Sequence, residues 1–305
     1  MGILLQQITN GLIFGGLIAM VALGYTMVYG IIQLINFAHG EVFMTGAFGG
    51  LATYTWILPP AVQKIWYVAL PAMLLGGVIT SVVIALLMER FAYRPLRNAP
   101  RLAPLITALG VSVFLQEVVR VWYPGATSAV PFPGLLDSVP LHLGPITVKP
   151  SGLLMLVVSL VLAVVLQTYV NRSRMGRAMR ATAQDPDTAR LMGINPDRVI
   201  VLTFAIGAVL AGVGGVLYGT YINNVDNYIG FQNGIFAFTA AVLGGIGSIR
   251  GAVIGAFVIG LIKNLADIWL PGGTAYDYVW IFVLLIVVLV FRPQGLFGEA
   301  ERVRA

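Results

Sequence analysis

Residues 171–198, NRSRMGRAMRATAQDPDTARLMGINPDR, form a polar island with six arginines between two apolar stretches, 151–170 and 199–222. Each flanking stretch has about the 20-residue length that crosses a bilayer as a helix. The island carries local order of its own. Asp185-Pro186-Asp187 supplies an N-cap side chain, a proline preset to helical φ at the first position and a carboxylate for the positive end of the helix dipole. Gly193 suits the left-handed turn that closes such a helix after about two turns, and Asn195-Pro196-Asp197 repeats the start signal for the next apolar stretch. A loop punctuated in this way is expected to be an ordered docking surface at one face of a membrane.

Outside the island the chain is oily. Of 305 residues 58% are hydrophobic and 10% charged, with a mean hydropathy of +0.90, which places the protein among integral membrane proteins. Apolar segments of helical length run at 9–35, 41–58, 66–88, 102–123, 151–170, 199–222, 235–249, 251–270 and 277–291. The expected fold is therefore all-α, a polytopic integral membrane helical bundle of about eight or nine transmembrane segments in a single domain, 1–305. The segment 235–249 is short and interrupted by Gly244, Gly245 and Gly247, so it reads as a re-entrant segment or as a broken half-helix. The first apolar segment lacks the basic start and small-residue cleavage site of a signal peptide and is expected to stay in the protein.

The net charge of +6 does not point to nucleic acid, because the basic residues sit in short loops beside apolar spans. Placing Arg90, Arg94, Arg97, Arg101, the arginines of the island, Arg250, Arg292, Arg302 and Arg304 on one side accounts for 14 of the 18 basic residues. By the positive-inside rule that side is the cytoplasm, with the amino terminus outside and the carboxyl terminus inside. The longest outer connection, Tyr123 to Pro150, has six prolines and is expected to be ordered. Small residues crowd 11–30, 207–219 and 244–260, where they let helices approach closely, and these spans should form the packed centre of the bundle. The first span and the one after the island are both glycine-rich and followed by an irregular segment, a hint of two related halves.

Catalytic chemistry is not indicated. None of the three lysines follows a glycine-rich phosphate loop, the two histidines are isolated, there is no cysteine and no serine sits in a nucleophile elbow. No cofactor and no metal site is expected in this chain. Gln33, Asn36, His39 and Glu41 cluster where the first two spans meet and are candidate pathway residues, with satisfaction of loose backbone groups as the equal alternative. Two intramembrane charge pairs are read from spacing, Glu117 with Arg120 and Lys263 with Asp267. Self-pairing favours helix fixation over a proton relay.

Three stretches carry a family resemblance that runs over essentially the whole chain: residues 29–41, YGIIQLINFAHGE; the loop Arg177 to Arg198; and residues 244–251, GGIGSIRG. They resemble the membrane permeases of binding-protein-dependent ABC importers, in the LivH-type branched-chain amino-acid group. In that family a cytoplasmic loop patterned Glu-Ala-Ala, three residues, Gly docks on the ATP-binding subunit. Here Asp187-Thr188-Ala189 and Gly193 hold those positions, with Asp for Glu, Thr for the first Ala and no downstream Ile-x-Leu-Pro. The resemblance implies that 171–198 is a cytoplasmic coupling loop in which Arg180, Asp187, Ala189 and Gly193 couple to the ATPase. It also implies a bacterial cytoplasmic-membrane complex: a second related permease subunit, two ATP-binding subunits that hold the ATP, and an extracytoplasmic substrate-binding protein. The expected cargo is leucine, isoleucine or valine, with a urea or short-amide permease and an ion-coupled secondary transporter as competing readings.

Overall fold

The computed structural model describes residues 2–33, 36–97, 99–100, 102–137, 140–269, 276–292 and 294–298. In chain order the elements are α1 (Gly2–Ile32), α2 (His39–Ala52) with a π-helical turn at 53–57, α3 (Pro60–Gln63), α4 (Trp66–Met88) prolonged by a π turn and a 3-10 turn to Leu96, and α5 (Leu102–Trp122). Then come β1 (Val130–Pro131), β2 (Leu141–Leu143), β3 (Ile146–Val148), α6 (Pro150–Arg172), α7 (Arg174–Gln184), α8 (Pro186–Leu191) and α9 (Pro196–Ile222). The chain continues through β4 (Asn224–Val225), α10 (Ile229–Gly244), α11 (Ile249–Trp269) and α12 (Asp277–Phe291). Six helices are long and apolar enough to cross a bilayer and two more, α10 and α12, are apolar but shorter, so the protein is a polytopic all-α bundle.

The two ends of the bundle are fixed by a few contacts. Gln6 on α1 exchanges hydrogen bonds with the backbone of Thr147 on β3, and Lys149 Nζ donates to the Tyr221 carbonyl of α9. The start of α1, the start of α6 and the finish of α9 therefore share one end. At the other end Ile32 and Gln33 lie beside Pro186, Asp187 and Pro196, next to α8.

α1 and α9 form the centre, as their small residues foretell, while α4, α5, α6 and α12 turn rows of Leu, Val, Ile and Phe outward. A close three-helix crossing is made by glycines: a Cβ on Gly46 of α2 would stand 2.7 Å from the Gly212 Cα of α9, and one on Gly77 of α4 would stand 2.7 Å from the Gly46 carbonyl. α2 and α10 start inside the bundle. The His39 ring packs on Gly24, about 12 Å before the end of α1 at 1.5 Å per residue, and Gly40 meets Gly230 at the start of α10.

Two related halves are present. α1 packs on α11 as α9 packs on α4, α2 packs on α4 as α10 packs on α11, and α5 leans on α2 as α12 leans on α10. In both halves a long helix ends in a non-glycine residue with positive φ, Gln33 at 51° and Asn223 at 62°, before the next helix restarts in the interior. Because α1 and α9 run in opposite directions, the halves are inverted relative to each other.

Several boundaries differ from the sequence reading. α1 begins at Gly2 rather than at 9, because Gln6, Gln7 and Asn10 bond to one another along its first turns. The segment 235–249 is not one broken span. Residues 235–244 complete an unbroken helix that starts at Ile229, and Gly245 and Gly247, with φ of 101° and 97°, form the turn into α11. The connection 123–150 is ordered where described: β1 pairs with β4, β2 with β3, Phe132 is buried, and the Trp56 ring stacks on Tyr123 with centroids 5.2 Å apart. Leu34, Ile35, Arg101, Arg302 and Arg304 lie outside the described residues.

Candidate functional site

The island folds into two capped helices leading to α9. Ser173 Oγ accepts from the Gly176 amide at 2.8 Å and starts α7, a signal that the sequence reading passed over. Asp185 Oδ1 accepts from the amides of Asp187 and Thr188 at 3.0 and 3.1 Å, and its other oxygen accepts from Thr188 Oγ1, which fixes the start of α8 where the sequence put it. Gly193 closes α8 at φ 79°, and the Ile194 amide returns to the Ala189 carbonyl at 3.0 Å. Asn195 Oδ1 then accepts from the Arg198 amide at 3.2 Å and opens α9.

The four residues singled out for coupling have different surroundings. Asp187 is exposed and pairs with Arg190 at 3.0 Å on the outer face of α8. Ala189 is buried at the wall of the cleft between α7 and α8. Arg180 donates to the Val170 carbonyl and ties α7 back to the end of α6. The outermost side chains of α8 were missed: Leu191 is 87% exposed and Met192 78%. Two large apolar groups at the tip of a polar helix are the available signal, and the arginines around them obscured it. Beneath them a cleft of about 630 Å³ between α7 and α8 is lined by Arg174, Arg177, Gln184, Met192 and Ile194.

The start of α9, just past α8, is clamped to the end of α4 by charge. Arg97, beyond the end of α4, bridges the buried carboxylate of Glu89 and the carboxylate of Asp197 in the first turn of α9, and Arg94 Nη2 lies 3.4 Å from the same aspartate. Removing the guanidinium strands Glu89, whose side chain is 3% exposed. Arg97→Met is expected to lower unfolding stability in detergent by about 3 kcal/mol, and adding Glu89→Met is expected to recover most of it, because the loss comes from the unpaired buried charge.

Gln33, Asn36, His39 and Glu41 are not one open mouth. Gln33 borders a cleft of about 370 Å³ under Asp187 and Arg190, so the restart between α1 and α2 lies directly below α8. Asn36 is buried and accepts from Tyr93 Oη at 2.6 Å. The His39 ring stands edge-on to Tyr25 at 5.2 Å, and its Nε2 has no hydrogen-bond partner among the described residues. Glu41 is fully buried, and its Oε1 accepts from Ser112 Oγ at 2.9 Å and Gln116 Nε2 at 2.8 Å on α5. The charge pairs divide as well. Glu117 and Arg120 pair as the spacing predicts, on an exposed stretch of α5. Lys263 does not pair with Asp267: its Nζ lies 2.7 Å from Asp277 Oδ2 of α12, because the residue that opens α12 comes closer than the next turn of its own helix. Among the described residues no cluster of ligating side chains could hold a metal.

A family model described as "Branched-chain amino acid transport system / permease component" matches residues 7–289. The chain belongs to that family. This permease is 42% identical over 301 residues to the high-affinity branched-chain amino acid transport system permease protein LivH of Salmonella typhimurium, covering 97% of this chain and 96% of the relative. It is equally similar to BraD, the high-affinity branched-chain amino acid transport system permease protein of Pseudomonas aeruginosa, over 300 residues. Over 136 residues, 41% of this chain, it is 28% identical to the probable branched-chain amino acid transport permease protein LivM of Methanocaldococcus jannaschii. Among solved structures, a chain of an ABC transporter of metal-chelate type in an inward-facing conformation covers 94% of this permease and is itself covered to 87%, with a TM-score of 0.50 at 18% identity, a likeness of fold.

Proposed function

We propose that this permease is one of two related membrane subunits of an ATP-driven importer and passes branched-chain amino acids, delivered by a soluble extracytoplasmic binding protein, across the bacterial cytoplasmic membrane. The observation that carries the reading is α8: a short helix, capped at its start and closed by Gly193, presenting Leu191 and Met192 beside the arginine-lined cleft of α7. Such a knob suits a cleft on a separate ATP-binding subunit, two of which hold the ATP, since this chain has no phosphate loop of its own. The arginines of α7 and α8 support a cytoplasmic position for that face, with the start of α1 outside and the carboxyl terminus inside. A push on α8 reaches α9 along the short connection 192–195, is passed from α9 to the end of α4 by the Asp197 clamp, and reaches the α1–α2 restart through the cleft at Gln33. LivH-type and LivM-type relatives together support pairing with a second, distinct permease.

The test is uptake by the whole complex, reconstituted in vesicles with ATP inside and the binding protein outside. Labelled leucine is expected to accumulate and labelled urea to stay out. Accumulation of urea in preference to leucine overturns the substrate assignment, and leucine uptake that persists without ATP but follows an ion gradient overturns the importer itself.

A further inference from the structure

The two helices that restart inside the bundle converge on one carboxylate. Glu41 sits in the first turn of α2 and is fully buried. Here the starts of α2 and α10 meet backbone to backbone: a Cβ on Gly40 would run into the Gly230 carbonyl and stand 3.0 Å from the Gly234 Cα. A Cβ on Gly230, the second residue of α10, would in turn strike Glu41 Oε2. Each helix start carries about half a positive charge, and two of them meeting away from water repel unless an anion stands between them. Glu41 supplies that anion. Its Oε2 lies against the start of α10 and receives no hydrogen bond among the described residues, while Oε1 is taken by α5 through Ser112 Oγ at 2.9 Å and Gln116 Nε2 at 2.8 Å. α5 has little else to hold it. Its buried residues form one stripe, with Ser112 and Gln116 as the polar middle, and Ile106, Val113, Phe114 and Val121 are exposed.

Ser112 also belongs to the wall of a cavity of about 140 Å³ among α1, α5, α10 and α12, together with Leu109 of α5, Ile235 and Phe238 of α10 and Phe282 of α12. The hydroxyl that holds α5 to Glu41 therefore lies in a wall whose position α5 sets. We propose that Glu41 is the positioning residue of a gate: it latches α5 onto the paired starts of α2 and α10, and release of α5 from Glu41 opens this cavity to water during the transport cycle. A hydrogen bond to a buried carboxylate is costly to leave half-made, so α5 has a discrete docked state rather than a continuum of positions. Water entering as α5 withdraws solvates Glu41, Ser112 and Gln116, which lets the undocked state exist. The gate rests on the proposed function for its cycle, but the latch is a property of this chain alone.

The chain has no cysteine, so Ile235→Cys places one thiol on it, in the cavity wall. N-ethylmaleimide crosses lipid but reacts with the thiolate, which apolar surroundings suppress and water permits. The whole transporter carrying this thiol, in vesicles without nucleotide, is expected to label slowly. Adding Glu41→Ala is expected to raise the rate about tenfold, the factor that losing hydrogen bonds to a buried charge corresponds to. Ser112→Ala with Gln116→Leu leaves Glu41 in place and is expected to raise it equally, and all three changes together are expected to add nothing further, because each set breaks the same latch. A thiol at Met155→Cys, buried on α6, is expected to keep its rate throughout. A rate unmoved by the two α5 substitutions, effects that multiply in the triple variant, or a parallel rise at Met155→Cys overturns the latch, and the α5 substitutions alone decide if Glu41→Ala yields no folded complex. Without the latch substitutions, labelling at Ile235→Cys is expected to quicken when ATP and the binding protein set the complex turning over. Indifference to ATP in a complex that takes up leucine overturns the gate. Labelling uses no substrate, so a wild-type complex that takes up no leucine contradicts the proposed function instead, which separates the two failures.

Discussion

In the double variant Leu191→Asp, Met192→Asp, the ATP-binding subunits are expected to leave the complex and ATP-driven uptake to disappear, while the permease stays folded in the membrane. Both side chains are largely exposed at the end of α8, so the bundle loses little packing when they change. Buried anchors at the centre of an interface each contribute about 2 kcal/mol or more, and two together correspond to about a thousandfold in association. Carboxylates add the cost of burying charge in the partner's cleft. The measurement is copurification of the ATP-binding subunits with the tagged permease, alongside its melting temperature. Full copurification with normal uptake would remove α8 as the handle. Gly193→Val is a milder companion: space around Gly193 is open, but its φ of 79° strains any branched residue, so α8 is expected to tilt and uptake to fall without loss of binding.

Gly212→Leu is expected to prevent the bundle from assembling. A Cβ there would stand 2.8 Å from the Val78 Cα and 2.9 Å from the Gly77 carbonyl, and backbone cannot turn aside as a flexible side chain can. Overpacked cores lose about 1–3 kcal/mol when side chains absorb the strain, and here α4 and α9 would have to separate along their length, so the loss is expected to reach at least the top of that range. The readout is the amount of monodisperse permease extracted in mild detergent and its unfolding temperature. Extraction at the wild-type level with an unchanged transition would show that the crossing can open. Gly110→Leu on α5 is the matched control, because nothing lies within 4 Å of its added Cβ.

The spans and the capped helix at 186–191 were legible because each has a local cause: apolar length for the spans, a side-chain oxygen and a proline for the helix start. The inverted halves showed only as a shared glycine bias, since the pairing of α1 with α11 and α9 with α4 is a tertiary fact. Polar starts hid the true beginnings of α1 and α10: Gln6, Gln7, Gln232 and Asn233 lower the hydropathy of turns that are nonetheless helical. Spacing paired Lys263 with Asp267 because a sequence displays neighbours along one helix, whereas the aspartate that the ammonium touches opens another. The same blindness left Glu41 as a residue at a turn when it lies between α2 and α5, held by Ser112 and Gln116. Leu191 and Met192 were read as part of a charged loop because exposure is not written in composition.

α1 and α9 run antiparallel along one shared seam, so the two halves offer the same kind of element to opposite faces of the bundle. In an importer of the kind proposed, a rearrangement that one half can make toward one face has a mirrored counterpart in the other half toward the opposite face, with no separate set of parts for each side.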